Sequence, residues 1–144
     1  MLKDLVTGYQ HLGIPTNDIA ATKEFYTSMG FEPIYETMNG TSQVCFLAMG
    51  EVVIETYQNG KATMARGAVD HIALNTRDLP ACVAEVKKNG YTVVEGPNFL
   101  PFFDHGVAYI SVFGPNKEVV EFNQMFESEE EKQQVTGALG ISAL

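Results

Sequence analysis

The sequence predicts an α+β fold built from two βαβββ modules that form a curved mixed sheet, and three observations predict it. The stretch His11-Leu12-Gly13-Ile14-Pro15-Thr16-Asn17-Asp18-Ile19 reappears sixty residues later, without a gap, as His71-Ile72-Ala73-Leu74-Asn75-Thr76-Arg77-Asp78-Leu79. The match continues through Ala21 on Ala81, Gly30 on Gly90 and Phe31 on Tyr91. The last strands of the two copies also match, Val53-Ile54-Glu55-Thr56-Tyr57-Gln58 on Val119-Val120-Glu121-Phe122-Asn123-Gln124, at an offset of 66. A unit written twice is the signature of a pseudo-symmetric pair of modules.

The elements follow in order. Tyr9 to Pro15 reads as the first strand, and strict alternation puts His11 and Gly13 on one face and Leu12 and Ile14 on the other. Asn17 and Asp18 are N-cap candidates for a helix whose apolar face is Thr22, Phe25, Tyr26 and Met29, stopped by Gly30. Strands are expected over 31–37, 42–49 and 51–57, with Asn39-Gly40 as a hairpin signal and Gly50 as a break. The polar stretch 59–68 links the modules. The second copy then repeats the pattern: a strand over 69–75, and a helix opened by Asp78 with Leu79, Cys82, Val83 and Val86 inward. Lys87 and Lys88 sit in its last turn, where cations suit the helix dipole, and Gly90 ends it. Strands over 91–95, 107–113 and 118–124 complete the module. Between the first two lies a longer loop, 97–106, carrying Phe99, Phe102, Phe103, Asp104 and His105. The acidic run Glu127 to Glu131 opens a tail, 127–144, expected to be a solvated helix or disorder.

Length and composition bound the function. At 144 residues the chain suits one domain, 9–126, made of modules 9–58 and 69–125, since either module alone would bury too little surface. A net charge of −9 and a pI near 4.6 argue against nucleic-acid binding, which needs clustered Lys and Arg, and leave no basic patch for anionic membranes. Cys45 and Cys82 form no disulfide framework and no metal-type Cys pair. There is no signal-peptide pattern and no bilayer-length apolar run, so the expectation is a cytoplasmic protein acting on a small molecule.

Each module begins with a strand His and ends with a strand Glu: His11 and Glu55, then His71 and Glu121. A carboxylate in a half-buried strand costs free energy unless it is paired or binds a metal. Two imidazoles and two carboxylates meeting in one cleft would make a mixed N/O site suited to Ni²⁺, Co²⁺ or Zn²⁺, with Fe²⁺ or Mn²⁺ also compatible. Four protein ligands leave an octahedral ion two positions for water or a bidentate substrate.

On these residues the chain resembles the vicinal oxygen chelate superfamily, which includes glyoxalase I, over about residues 9–125. The resemblance rests on the paired modules, on Phe25-Tyr26 followed by Gly30-Phe31, on His71-Ile72-Ala73-Leu74, Asn89-Gly90 and Gly96-Pro97, and on the run Gly114-Pro115-Asn116-Lys117-Glu118-Val119-Val120-Glu121. It implies metal ligands His11, Glu55, His71 and Glu121. It also implies catalytic carboxylates Glu121 and Glu55, with Glu121 as the base that moves a proton between adjacent carbons of an α-oxo substrate or its thiol adduct. Asn59 falls where the bacterial enzyme has a substrate-contacting Asn, and Phe102 and His105 are further substrate candidates. Three departures stand out. Pro15 replaces an Arg that binds a glutathione carboxylate, no Lys or Arg lies between Pro97 and Asn116, and Gly114 replaces the usual Asp before Pro. Missing carboxylate partners lower the expected affinity for glutathione.

The alternatives are an acyl-CoA epimerase, whose relatives typically have Gln at the Glu55 position, a ring-cleaving dioxygenase, which needs only two His and one carboxylate, and an antibiotic-binding resistance protein, which lacks the metal residues. By resemblance, a homodimer is expected, with the modules closing a cleft within one chain or between two.

Overall fold

A computed structural model describes residues 1–143. After a short 3-10 turn at Leu2–Asp4, the elements are β1 (Leu12–Thr16), α1 (Ile19–Ser28), β2 (Glu32–Asn39), β3 (Ser42–Met49) and β4 (Val52–Gln58). There follow β5 (Ile72–Asn75), α2 (Leu79–Lys88), β6 (Val93–Leu100), β7 (Val107–Phe113), β8 (Val119–Met125) and α3 (Glu129–Leu139). The chain forms two compact units, the first Met1–Thr63 and the second from Met64 onward. Each closes its own four-stranded mixed sheet, in the order β1-β4-β3-β2 and β5-β8-β7-β6. The architecture is therefore α+β, with the βαβββ order repeated.

In the first unit, β1 runs parallel to β4, from Leu12 opposite Ile54 to Thr16 opposite Gln58. Strand alternation sends Ile14, Thr16, Ile54 and Thr56 to the buried face covered by α1, and Gly13 and Glu55 to the other. β1 is an edge strand, which is why Pro15 is tolerated inside it. Helix α1 starts where Asp18 Oδ1 accepts from Ala21 N at 3.0 Å, and it buries Ile19, Thr22 and Tyr26. Helix α2 repeats the device: Asp78 Oδ1 accepts from Ala81 N at 3.0 Å, and Leu79, Val83 and Val86 are buried. Fully burying a side chain such as Leu79 stabilises by about 1.5–3 kcal/mol.

A second repeated device was not anticipated. Gln58 Oε1 accepts from Ile19 N at 2.9 Å, and Gln124 Oε1 accepts from Leu79 N at 2.8 Å. In each module a glutamine near the end of the last strand thus satisfies an orphan amide at the start of the helix.

Three expectations need correction. First, the ladders begin at Leu12 and Ile72, so His11 and His71 lie one residue before their strands rather than inside them. Second, the second-module strand expected to stop at Glu95 continues to Leu100, because Asn98, Phe99 and Leu100 pair with Tyr109, Ala108 and Val107 beyond a register shift. The shift accommodates Gly96 and Pro97, joined by a cis peptide bond. Gly96 has φ +94°, and a Cβ there would come within 2.6 Å of the Tyr109 carbonyl oxygen. Phe99 is therefore a strand residue, its ring stacked on Phe126 at 6.4 Å.

The third correction concerns the tail, whose helix is not free in solvent. Ser128 caps α3, its Oγ accepting from Glu131 N at 3.1 Å, and Val135 and Thr136 are buried, with α2 as a neighbour. Glu129, Glu130 and Glu131 fill the first turn, where negative charge suits the dipole. Leu144, the last residue of the expected tail, lies outside the described residues.

Candidate metal-binding half-sites

Each unit places its His beside its Glu. In the first, His11 Nε2 lies 3.1 Å from Glu55 Oε2, while Nδ1 makes a hydrogen bond with Gln10 Oε1. The imidazole meets the Phe46 ring edge-on, with centroids 5.5 Å apart. Gly13, the cross-strand partner of Glu55, leaves the carboxylate uncrowded: even a Cβ there would stand 3.8 Å from Oε2. The Glu55 side chain is 26% exposed, so the pair sits at a partly shielded surface that a solute can reach.

In the second unit, His71 Nε2 lies 4.0 Å from Glu121 Oε2, and Nδ1 pairs with Asp70 Oδ2 at 3.0 Å. The His71 hydrogen bond, with Arg66 nearby, holds the Asp70 carboxyl below its ordinary range. Glu121 is 18% exposed, and its Oε1 accepts from Asn123 Nδ2 at 2.9 Å. In both units Nδ1 is tied down by the preceding residue and Nε2 is turned toward the carboxylate. Fixing one ring nitrogen through an outer partner is how metal-ligating histidines are oriented. Gln10 and Asp70 occupy equivalent positions of the repeat, so this feature is legible in the sequence.

The donor chemistry of each half suits a divalent ion of the imidazole- and carboxylate-binding kind. A half offers only two donors, however, and among the described residues no three His, Cys, Asp or Glu side chains form a ligand group. The other candidates have local contacts of their own. Asn59 Oδ1 accepts from Lys61 N at 3.0 Å within its own turn. Phe102 is exposed in the 101–106 loop, and His105 Nδ1 faces Glu129 of α3 at 3.3 Å. Lys132 first, and His105 next, hold the Glu129 carboxyl below its usual value.

The departure at Gly114 has a local explanation. A Cβ there would meet Glu118 Cδ at 2.3 Å, and Glu118 Oε2 accepts from Asn116 N at 2.8 Å. The Glu118 carboxylate thus folds over the glycine and serves the turn.

Residues 10–109 match the profile of the Glyoxalase/Bleomycin resistance protein/Dioxygenase superfamily. The chain belongs to that superfamily. The matched stretch includes His11, Glu55 and His71 and ends before Glu121. No curated protein matches the sequence. Among solved structures, the chain is similar to a glyoxalase family protein from Enterococcus faecalis, with TM-score 0.70, 20% identity, and 83% of this chain and 98% of that one covered. It is also similar to TnmS3, an antibiotic-binding protein from a Streptomyces species, with TM-score 0.69, 20% identity and coverage of 84% and 98%. A third is the fosfomycin resistance protein FosX from Listeria monocytogenes, solved with Mn(II) and sulfate, with TM-score 0.66, 17% identity and coverage of 88% and 98%. These likenesses establish the glyoxalase-like fold. No helix among the described residues is long and apolar enough to cross a membrane.

Proposed function

We propose that this protein is a divalent-metal-dependent enzyme of the glyoxalase I kind, a lyase or isomerase that moves a proton between adjacent carbons of a small α-oxo substrate or its thiol adduct. The observation that carries this reading is the doubled pair, His11 with Glu55 and His71 with Glu121, each with Nε2 turned to a carboxylate. His11, Glu55, His71 and Glu121 are the residues that would hold the ion, within one chain or across a homodimer. When bound, the ion would supply Lewis-acid polarisation of a substrate carbonyl.

The chain's own groups divide the remaining work. Glu121 is the base. Its distance of 4.0 Å from His71, against 3.1 Å for the Glu55 pair, leaves its Oε2 less tightly held by its histidine. Asn123 fixes Oε1, so Oε2 is the atom that takes and returns the proton. Pro15 and the Lys- and Arg-free stretch 98–115 offer no partners for glutathione carboxylates, which favours a smaller or less charged thiol, or none. Retention of both pairs favours an enzyme over a binding protein of the TnmS3 kind.

The test is metal analysis of the purified protein, followed by assay with methylglyoxal and several thiols. Glu55→Gln and Glu121→Gln should lose the metal and His105→Ala should keep it. Equal loss in all three, or no metal in the unchanged protein, sinks the reading.

A further inference from the structure

The chain contains three Asn-Gly steps, Asn39-Gly40, Asn59-Gly60 and Asn89-Gly90. Such a step carries its own chemistry. The asparagine side-chain amide is an electrophile and the next backbone nitrogen is a nucleophile. A glycine there has no side chain to block the approach. All three steps are exposed, and all three glycines sit at positive φ, +59° for Gly40 and +68° for both Gly60 and Gly90. Local sequence, exposure and backbone shape therefore do not separate them.

Hydrogen bonding does. At Asn59-Gly60 both reacting groups are held: Gly60 N donates to the Thr16 carbonyl oxygen at 3.3 Å, and Asn59 Oδ1 accepts from Lys61 N at 3.0 Å. At Asn89-Gly90 both are held again: Gly90 N donates to the Lys87 carbonyl oxygen at 3.1 Å, and Asn89 Nδ2 donates to the Glu85 carbonyl oxygen at 2.9 Å. At Asn39-Gly40, among the described residues, neither the Asn39 side-chain amide nor the Gly40 N–H has a partner. The hairpin explains the difference. Asn39 is the last residue of β2 to pair, with Ser42, so Gly40 takes the first central position of a two-residue turn and its N–H lies outside the ladder. To react, the hairpin gives up only that closing pair, and the end of a ladder opens more readily than its middle.

We infer that Asn39 is a site of spontaneous covalent modification in the folded protein, by ring closure onto Gly40, and that Asn59 and Asn89 are protected from it. The Gly40 nitrogen forms a bond to Asn39 Cγ and loses its proton. The Cγ–Nδ2 bond breaks, and Nδ2 leaves as ammonia with that proton. Water then opens the five-membered succinimide. Attack at Cγ gives aspartate; attack at the Asn39 backbone carbonyl gives isoaspartate, in which the main chain runs through Cγ. Either product adds a negative charge to the first module. Isoaspartate also lengthens the backbone at the closing pair, so Asn39 and Ser42 lose their register while the pairs from Met38–Gln43 inward remain. The site is independent of the function proposed above.

The test incubates the folded chain in heavy-oxygen water at mildly alkaline pH and follows the three sites by peptide mass spectrometry, beside a sample unfolded in urea. In the folded protein Asn39 should convert about fivefold or more faster than Asn59 and Asn89, because each hydrogen bond that must break first slows the reaction. In urea the three sites should convert at similar rates. Asn39→Gln should abolish the early acidic species on ion exchange and leave the other two sites unchanged. Conversion of folded Asn59 or Asn89 at the rate of Asn39 overturns the inference. So does a lead of Asn39 that persists undiminished in urea, which would belong to local sequence and not to the fold. An Asn39 that stays intact in the folded protein while the unfolded sample converts overturns it as well.

Discussion

Two equivalent rows of side chains cross the two sheets, and they differ in chemistry. In the first module the row runs Tyr35, Phe46, Glu55, Gly13. In the second it runs Glu95, Ser111, Glu121, Ala73. One end of each row, a glutamate beside a small residue of the parallel strand, is the same. The other end is not: Tyr35 and Phe46 pack ring to ring at 6.1 Å, where the second module has a carboxylate and a hydroxyl. Repetition has kept what the His–Glu pair needs and released what lies next to it. One half sets its glutamate beside aromatic cover, the other beside polar groups.

That comparison can be broken most forcefully at the proposed metal ligands. His11→Ala and His71→Ala should each weaken divalent-ion binding by about 100-fold or more, because each removes a donor that its module does not replace. Titration calorimetry that finds one of them without effect would mean that the two halves do not share a function. The next effect is structural. Gln124 is 4% exposed and also donates through Nε2 to Glu131 Oε1 at 2.7 Å, whereas Gln58 is exposed. Gln124→Ala should therefore cost about 1–3 kcal/mol of unfolding free energy, and Gln58→Ala less than about 1 kcal/mol. Equal costs in urea unfolding would show that burial is not what separates the two equivalent glutamines.

The helix caps should behave alike, since their geometry is alike. Asp18→Ala and Asp78→Ala should each cost about 1 kcal/mol, and thermal melts that separate them clearly would deny the symmetry. The smallest effect belongs to α3, which has no counterpart after the first module. Glu129 has its carboxyl held below the ordinary range, so its pairing stabilises the fold above the unfolded-state value and is lost as pH falls through the folded-state value. Because Glu129 is exposed, Glu129→Gln should differ only slightly from the parent at neutral pH, and the two should converge in acid.

The sequence by itself determined the modular fold, its caps and its pairs of candidate ligands, because all of these are local or periodic. An Asp at a helix start, a run of alternating side chains and a sixty-residue echo are written in residue order. Only the tertiary structure decided the rest. That β6 runs on past Gly96 and Pro97, that Gln58 and Gln124 close the helix starts, that Glu118 covers Gly114, and that Ser111 stands opposite Glu121 are all matters of which strand meets which residue. Register is set by hydrogen bonds between segments distant in the chain, and no spacing along one strand encodes it.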